Sequence, residues 1–208
     1  HQQDLVIATQ GRGIYILDDI SPLHRAREAL AALADGTAPA FLFPPRRETV
    51  QTSGGGFGGG ARNGENPPAG VQIFYALPGV PAATDSEAEQ GALTLEIFGP
   101  SGDLVHTFHS DRDPTPNPRD IDRAPRGQIR LTTHAGMNRF LWNTRYPPTD
   151  RPDGLTVYGL THGPRTIPGE HRARLSIADW SEEATFRIVG DPRMDTPQTH
   201  HEERLELE

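Results

Sequence analysis

The chain has 208 residues, of which 34% are hydrophobic, and it holds 22 glycines and 20 prolines. Its formal net charge of −8 argues against a broad nucleic-acid interface, which needs a positive surface to displace counterions from phosphates. Cysteine is absent, which excludes disulfides and thiolate metal ligands, and no apolar run reaches the about 18 residues that predict a membrane span.

The first predicted element is a β-hairpin. Residues 4–9 and 14–17 are short apolar runs, and Gln10-Gly-Arg-Gly13 between them is a turn sequence. Both strands are apolar on both faces, so we expect other strands or a partner to cover the hairpin. Where those neighbours are missing, its unpaired edges predict homo-oligomers formed through strands 4–17.

A helix is predicted next, over residues 22–34, because strong helix formers are spaced there with leucines among them. Ser21 is the expected N-cap, and Gly36 is expected just beyond the last turn. Asp18 and Asp19 precede the helix. Capping of its N-terminus explains these two carboxylates more simply than acid–base chemistry does.

A brief strand at 40–43 and a glycine-rich loop at 53–70 follow the helix. The loop contains Ser53-Gly-Gly-Gly-Phe-Gly-Gly-Gly60, a low-complexity run typical of a flexible surface segment. A phosphate-binding loop ends in Gly-Lys-Ser/Thr, and this chain contains no lysine. The glycines therefore predict a loop rather than a nucleotide site.

From residue 71 onward the sequence predicts strands at the spacing of an antiparallel β-sandwich. Leu93, Leu95 and Ile97 alternate with polar residues, as expected of a strand with one buried face. The predicted strands are 71–77, 92–98, 104–109, 128–132, 137–142, 171–178 and 184–189. The last residues predict the first turn of a helix, and we expect both ends of the chain to be cuts in a longer protein.

Several blocks of the sequence resemble one family. They are Asp4-Leu-Val-Ile-Ala-Thr-Gln-Gly-Arg-Gly-Ile-Tyr-Ile-Leu-Asp-Asp-Ile-Ser-Pro-Leu23, Gly64-Glu-Asn-Pro-Pro-Ala-Gly-Val-Gln-Ile-Phe-Tyr75, Ala135-Gly-Met-Asn-Arg-Phe-Leu-Trp-Asn-Thr-Arg-Tyr146, Ile167-Pro-Gly-Glu-His171 and Asp191-Pro-Arg193. In order and spacing they are similar to the C-terminal region of bacterial BNR-repeat β-propeller proteins, the sialidase-like or sortilin-like group described as glycosyl hydrolases.

The resemblance implies a mainly β chain in three parts. Residues 1–37 would be the last propeller strands and a connecting helix, 38–193 an immunoglobulin- or fibronectin-III-like antiparallel β-sandwich, and 194–208 the start of a helical tail. Because the β patterning is intact and no catalytic groups converge, the leading interpretation is a non-catalytic structural or interaction module of a larger exported protein, with its own propeller or another protein as partner. The blade pattern Ser-x-Asp-x-Gly-x-Thr-Trp is absent here, so no active-site residue is carried over.

Two other functions stay open at this point. One is a carbohydrate-binding module that stacks sugars on exposed aromatic rings, with Trp180, Tyr158 and Arg145 as the candidate residues. Trp142 lies in an apolar strand and is predicted to be core instead. The other is a portion of a glycoside hydrolase whose catalytic residues lie in the missing propeller, so that no catalytic residue is assigned in this chain.

One loop is a candidate metal site, although the leading interpretation needs no cofactor. This loop, residues 111–122, contains four aspartates, and carboxylate oxygens are the ligands that Ca²⁺ prefers. The spacing is not that of an EF-hand loop, and nearby arginines neutralise part of the charge. The candidate ligands are Asp111, Asp113, Asp120 and Asp122.

These alternatives predict different results on a glycan array probed with the whole chain, in Ca²⁺ and in chelator. A carbohydrate module gives saturable binding that Trp180→Ala removes, because the stacking ring is lost. Glycan binding that requires Ca²⁺ indicates that the 111–122 loop contributes to the site. Binding that Trp180→Ala leaves unchanged contradicts the role of this residue.

Overall fold

The computed structural model describes residues 4–11, 13–17, 19–51, 70–78, 92–110, 130–147, 163–194 and 196–207. Within these ranges the chain is mainly β, as predicted, with three separate sheets and short helices. Most of the glycine-rich loop and all of the 111–122 loop lie outside the described residues.

The predicted hairpin is confirmed. Strand β1 spans Leu5–Thr9 and pairs antiparallel with β2, which spans Gly13–Leu17. Gly11 has a φ of 78° and Gly13 a φ of 111°, in the left-handed region that glycine enters without strain, so the turn needs both residues. The two strands form a sheet of their own.

The single predicted helix is two consecutive helices, α1 over Ser21–His24 and α2 over Ala26–Ala34. Ser21 was expected as the N-cap, and this is wrong. The Asp19 carboxylate accepts the Ser21 N–H at 3.1 Å, while the Ser21 hydroxyl is buried without a partner among the described residues. Gly36, with a φ of 71°, follows the last turn as predicted.

The largest sheet has five strands in the order β4-β10-β9-β6-β7. These strands are β4 (Glu48–Gln51), β6 (Thr94–Phe98), β7 (Leu104–His109), β9 (Gly169–Ile177) and β10 (Trp180–Gly190). Neighbours pair antiparallel except β4, which runs parallel to β10 at the edge of the sheet.

A smaller antiparallel sheet contains β3 (Phe41–Leu42), β5 (Val71–Leu77) and β8 (Gly136–Trp142), in that order. At its β3 edge no strand follows among the described residues. The Leu42 N–H donates instead to the Glu182 carboxylate on β10, at 2.8 Å. A side chain of one sheet thereby satisfies an edge donor of the other.

One hydrophobic core is shared by these two sheets. It draws alternate residues from strands of both, which is why Leu93, Leu95 and Ile97 are buried as the alternation predicted. Trp142 is also buried in this core, as predicted, and its indole N–H donates to the Arg145 carbonyl at 3.1 Å.

The opposite face of the smaller sheet is covered as well. Phe41 and Phe43 alternate with Leu42, which faces the main core, and pack with Ala76 and Ala29 in a second cluster beneath α2. This explains why β3 and β5 are apolar along both faces. Each face has its own cover, the main core on one side and a helix on the other.

Two strand predictions differ from the structure. Strand β4 was missed because Glu48-Thr-Val-Gln51 holds one strongly apolar residue, Val50, and that side chain is exposed on an edge strand. The predicted strand 128–132 is wrong for its described part, 130–132, which is irregular. Leu131 is buried there. Its N–H donates to the carbonyl of His109, the last residue of β7, at 3.2 Å.

The predicted helix near the end of the chain is present as α3, Gln198–Leu207. The Gln198 side chain donates to the Pro168 carbonyl at 3.1 Å, and Arg204 donates to the Arg165 carbonyl at 3.5 Å. The helix therefore lies along residues 163–168. In the described part of the chain, no helix is long and apolar enough to cross a membrane.

Core packing predicts a matched pair of leucine substitutions. Leu175→Ala removes a fully buried side chain of the shared core and is expected to lower the free energy of unfolding by about 2–5 kcal/mol. Leu104→Ala, on a strand side chain that is 51% exposed, is expected to change it by less than about 1 kcal/mol. Urea denaturation measures both, and equal losses contradict the described core.

Candidate functional site

The hairpin of β1 and β2 carries an unusually large exposed apolar surface, which we call the hairpin surface. Seven of its side chains are between 42% and 69% exposed: Leu5, Val6, Ile7, Ile14, Tyr15, Ile16 and Leu17. Together they expose roughly 700 Å² over the two faces of the hairpin, so that each face has the size of the apolar patches that often mark functional surfaces. The hairpin surface is therefore the first candidate for an interaction site.

The exposed side chains lie on both faces of the hairpin. The cross-strand register places Val6, Ile14 and Ile16 on one face and Leu5, Ile7, Tyr15 and Leu17 on the other. A strand that docks on a flat surface needs only one apolar face. Two apolar faces are typical of a strand that is covered from both sides.

The edges of the hairpin are also unprotected. In the part of the chain that the structure describes, no third strand pairs with β1 or β2. Neither strand contains a charged residue or a proline, which are the groups that commonly prevent edge-to-edge pairing. The hairpin is therefore open to further strands on either side.

Asp4 ties the base of the hairpin to the rest of the chain. Its Oδ1 accepts the Asp19 N–H at 3.0 Å and pairs with the Arg46 guanidinium. The hydrogen bond from Asp19, and then Arg46, hold the pKa of Asp4 below its ordinary value. Asp19 has a φ of 59°, so a left-handed residue fixes the connection to α1. The hairpin is anchored at its base while its faces stay open.

A second candidate is a chain of polar side chains that enters the main core, the Asp103–His171 network. Tyr146 Oη donates to Asp103 Oδ2 at 2.9 Å, and Thr166 Oγ1 lies 2.9 Å from His171 Nε2. The Thr166 hydroxyl lies beside the Tyr146 phenol and partly offsets the rise in its pKa. The network thus connects an exposed carboxylate to an imidazole that is 1% exposed.

The surroundings of His171 fix its tautomer. Its Nδ1 lies 3.1 Å from the Gly169 carbonyl, which only accepts, so Nδ1 carries the proton. Burial lowers the pKa of His171, so the ring is neutral at pH 7 and Nε2 accepts from Thr166. The ring packs against Trp142 and Phe186, at centroid distances of 5.9 Å and 5.7 Å, and these two rings also contact each other at 6.3 Å.

The outer end of the network carries the negative charge. Partial burial and then the Asp103 carboxylate raise the pKa of Tyr146 to about 12, so the phenol stays a donor. Burial opposes ionisation of Asp103, but hydrogen bonds from Ser101 and Tyr146 outweigh it and lower the pKa of Asp103. The charge therefore stays on Asp103 at neutral pH.

Two chain segments meet at this network. Tyr146 N–H donates to the Pro164 carbonyl and Thr166 N–H to the Thr144 carbonyl, both at 2.9 Å. The Gln51 side chain on β4 donates to Thr144 Oγ1 and to the Thr166 carbonyl, each at 3.2 Å. The network therefore joins the end of β8, the segment before β9 and the edge strand β4.

This arrangement limits the chemistry of the network. A hydroxyl beside an imidazole is a pair that elsewhere supports nucleophilic catalysis. Here Thr166 and His171 are 0% and 1% exposed, so a dissolved substrate does not reach them. The pair is suited to hydrogen bonding and to proton uptake rather than to attack on a substrate.

The residues predicted to bind carbohydrate do not converge. Arg145 is half-buried and its guanidinium donates to the Gly163 carbonyl at 2.8 Å, near the Trp142 end of the core. Trp180 is half-buried at the start of β10 and packs against the main core. Trp142, whose indole N–H bonds to the Arg145 carbonyl, contacts Phe186, which lies six residues beyond Trp180 on β10. Tyr158 lies outside the described residues.

The predicted calcium ligands Asp111, Asp113, Asp120 and Asp122 also lie outside the described residues. Within the described ranges, no three His, Asp or Glu side chains are close enough together to hold a metal ion. The calcium site stays a prediction.

Comparisons with protein-family models, with curated proteins and with solved structures find no match to this chain.

The sequence analysis did not single out His171 or Thr166. One signal was present: His171, Ala173 and Leu175 occupy successive inward positions of the alternating pattern in β9, so the histidine shares the apolar face. Thr166 is only five residues from His171, but the connection onward to Tyr146 and Asp103 depends on tertiary contacts between distant segments.

The anchor at Asp4 predicts a local effect on the hairpin. Asp4→Ala removes the contacts to Asp19 and Arg46, and amide exchange in β1 and β2 is expected to accelerate roughly fivefold, since about 1 kcal/mol of local stability is lost. Glu28→Ala, which removes the exposed ion pair with Arg25, is the control and leaves hairpin exchange unchanged. Equal exchange in both variants contradicts the anchor.

Proposed function

We propose that this chain is a non-catalytic accessory module of a larger exported β-propeller protein, of the glycosyl hydrolase-like kind. In this proposal an immunoglobulin- or fibronectin-III-like sandwich carries the hairpin of β1 and β2, which completes a sheet of the propeller. The partner of the hairpin surface is thus another part of the same protein.

The observation that carries the proposal is the exposure of the hairpin on both faces. Strands β3 and β5 have the same two-sided apolar pattern, and both of their faces are covered within the chain. Burial of roughly 700 Å² of apolar side chain is worth on the order of 15 kcal/mol before the cost of association, so an uncovered hairpin favours a partner strongly. Stacked sheets, such as propeller blades, cover a strand from both sides.

The sandwich assignment is supported by the two sheets that share one core and by their mostly antiparallel pairing. The non-catalytic assignment is supported by the depth of the Thr166–His171 pair, which a dissolved substrate does not reach. A module of this kind supplies a rigid support and a docking element, and its parent protein supplies any hydrolase activity.

The proposal is tested by amide exchange at Ile7 and Ile16, which lie on opposite faces of the hairpin. These amides are expected to exchange at least tenfold more slowly in the full protein purified from its natural source than in the 208-residue chain, because the propeller covers them. The amide of Leu175, in the core, is the internal control and exchanges equally slowly in both. Equal exchange of the hairpin amides, or a natural protein without further β domains, overturns the proposal.

Isolated from its partner, the chain is expected to associate with itself through the hairpin surface. Ile7→Lys and Ile16→Lys introduce a charge on one face each, and both are expected to reduce the dimer fraction seen by light scattering at high concentration. Met194→Lys changes an exposed apolar residue elsewhere and serves as the matched control. A dimer fraction that neither hairpin variant reduces is evidence against this surface.

A further inference from the structure

We propose that the Asp103–His171 network is a proton-responsive clasp that holds residues 163–168 and α3 against the body of the chain, and that releases them when His171 takes up a proton. The inference is independent of the proposed function. It rests on the order of the hydrogen bonds in the network, on the burial of the imidazole and on the irregular backbone of the segment that covers it.

The hydrogen bonds of the network allow the proton to be accommodated in only one way. With His171 neutral, the Thr166 hydroxyl donates to Nε2, and Tyr146 donates separately to Asp103. With His171 protonated, Nε2–H must donate to Thr166, and the Thr166 hydrogen turns to the Tyr146 oxygen. The bonds are then aligned in one direction, from the new positive charge to the Asp103 carboxylate.

The position of His171 makes that charge expensive while the clasp is closed. The ring is 1% exposed and packs against two aromatic rings, so the imidazolium loses its hydration. Burial accordingly lowers the pKa of His171, and the Asp103 charge offsets only a part of that effect. Contact with water is the remaining way to stabilise the charge.

Residues 163–168 are the part of the cover that opens most easily. This segment contains two prolines and is irregular apart from a bridge at Arg165. Two backbone hydrogen bonds are described between this segment and the end of β8. Thr166 N–H donates to the Thr144 carbonyl, and Tyr146 N–H donates to the Pro164 carbonyl. Its release exposes Nε2 to water while the strands of the core stay paired, and α3, which is bonded to Arg165 and Pro168, moves with it.

The groups that face His171 come from four elements. Trp142 faces it from β8, Phe186 from β10, Thr166 from the covering segment and Asp103, the charged member, from the turn before β7. Strand alternation turns the charged neighbours to the opposite face of the sheet: Glu170, Arg172 and Arg187. On α3, beyond the covering segment, the titratable and charged side chains are His200, His201, Glu202, Glu203 and Arg204.

The sign of the pH dependence follows from the lowered pKa. Above about pH 6.5, the ordinary pKa of histidine, both open and closed states are neutral and the clasp has its full stability. Between about pH 6.5 and the lower pKa of the closed state, the open state binds one more proton. The opening constant therefore rises up to tenfold for each pH unit of acidification in that window.

The first experiment follows the His171 ring by NMR titration of the whole chain. The pKa of His171 is expected below its ordinary value and is expected to fall further in Asp103→Asn, since the attracting charge is lost. Asp35→Asn, which removes an exposed carboxylate bonded to Thr37, is the control and leaves the titration unchanged. If the pKa of His171 is the same in Asp103→Asn as in the unchanged chain, Asp103 and His171 are not coupled and the proposal is overturned.

The second experiment measures amide exchange at pH 7.5 and pH 5.5, corrected for the intrinsic rates. Protection at Thr166 and along α3 is expected to fall about tenfold, while protection at Leu175 in the core falls less. Loss of protection that is equal at all three places identifies global unfolding and overturns a local clasp. Protection at Thr166 that is independent of pH also overturns it.

Histidine variants assign the effect. Burial also lowers the pKa of His106 and of His201, so both titrate in the same direction. His171→Gln is expected to abolish the pH-dependent exchange at Thr166, whereas His106→Gln and His201→Gln retain it. If His171→Gln fails to fold, the Asp103→Asn titration still decides, because Asp103 is exposed and lies in a turn. Persistence of the pH effect in a folded His171→Gln chain contradicts the assignment.

Discussion

Every apolar strand face in this chain must be covered, and the architecture depends on how that requirement is met. Strands β3 and β5 are apolar on both faces, and the main core covers one face while the cluster beneath α2 covers the other. The hairpin of β1 and β2 has the same two-sided pattern with no cover inside the described chain. The same physical rule that explains the interior therefore identifies the surface where a partner belongs.

Polar groups follow a parallel rule, since a buried donor or acceptor must find a partner. The Asp103–His171 network satisfies His171 and Thr166 inside an apolar core by a connection to Asp103 at the surface. The same connection makes the interior responsive to solvent protons. Burial of apolar side chains thus determines how the sheets pack. The Asp103–His171 network determines the pH at which residues 163–168 stay closed.

Local patterns predicted much of the fold. The hairpin turn with Gly11 and Gly13, the helix stop at Gly36 and the alternating strands β6 and β9 are all marked by neighbouring residues, so sequence alone located them. Strand β4 and the His171–Thr166 pair were missed because neither leaves a periodic signal in the sequence. Strand β4 is defined by its pairing with β10, far along the chain, and the His171–Thr166 pair by one buried hydrogen bond. The burial of the predicted carbohydrate residues depends on tertiary packing: Trp180 is half-buried against the main core, and Arg145 is half-buried and bonded to the Gly163 carbonyl.

The contacts of β10 have a consequence for the order of folding. The Leu42 N–H bonds to a carboxylate 140 residues later in the chain, and β4 pairs with the last residues of β10. Contacts of such high sequence separation form slowly, because a long loop must close before they contribute any stability. During synthesis, the segment that carries β3 and β4 therefore waits for nearly the whole chain to emerge. The apolar hairpin precedes these strands in the chain and therefore spends that interval beside an unfinished core, exposed to association with other apolar segments.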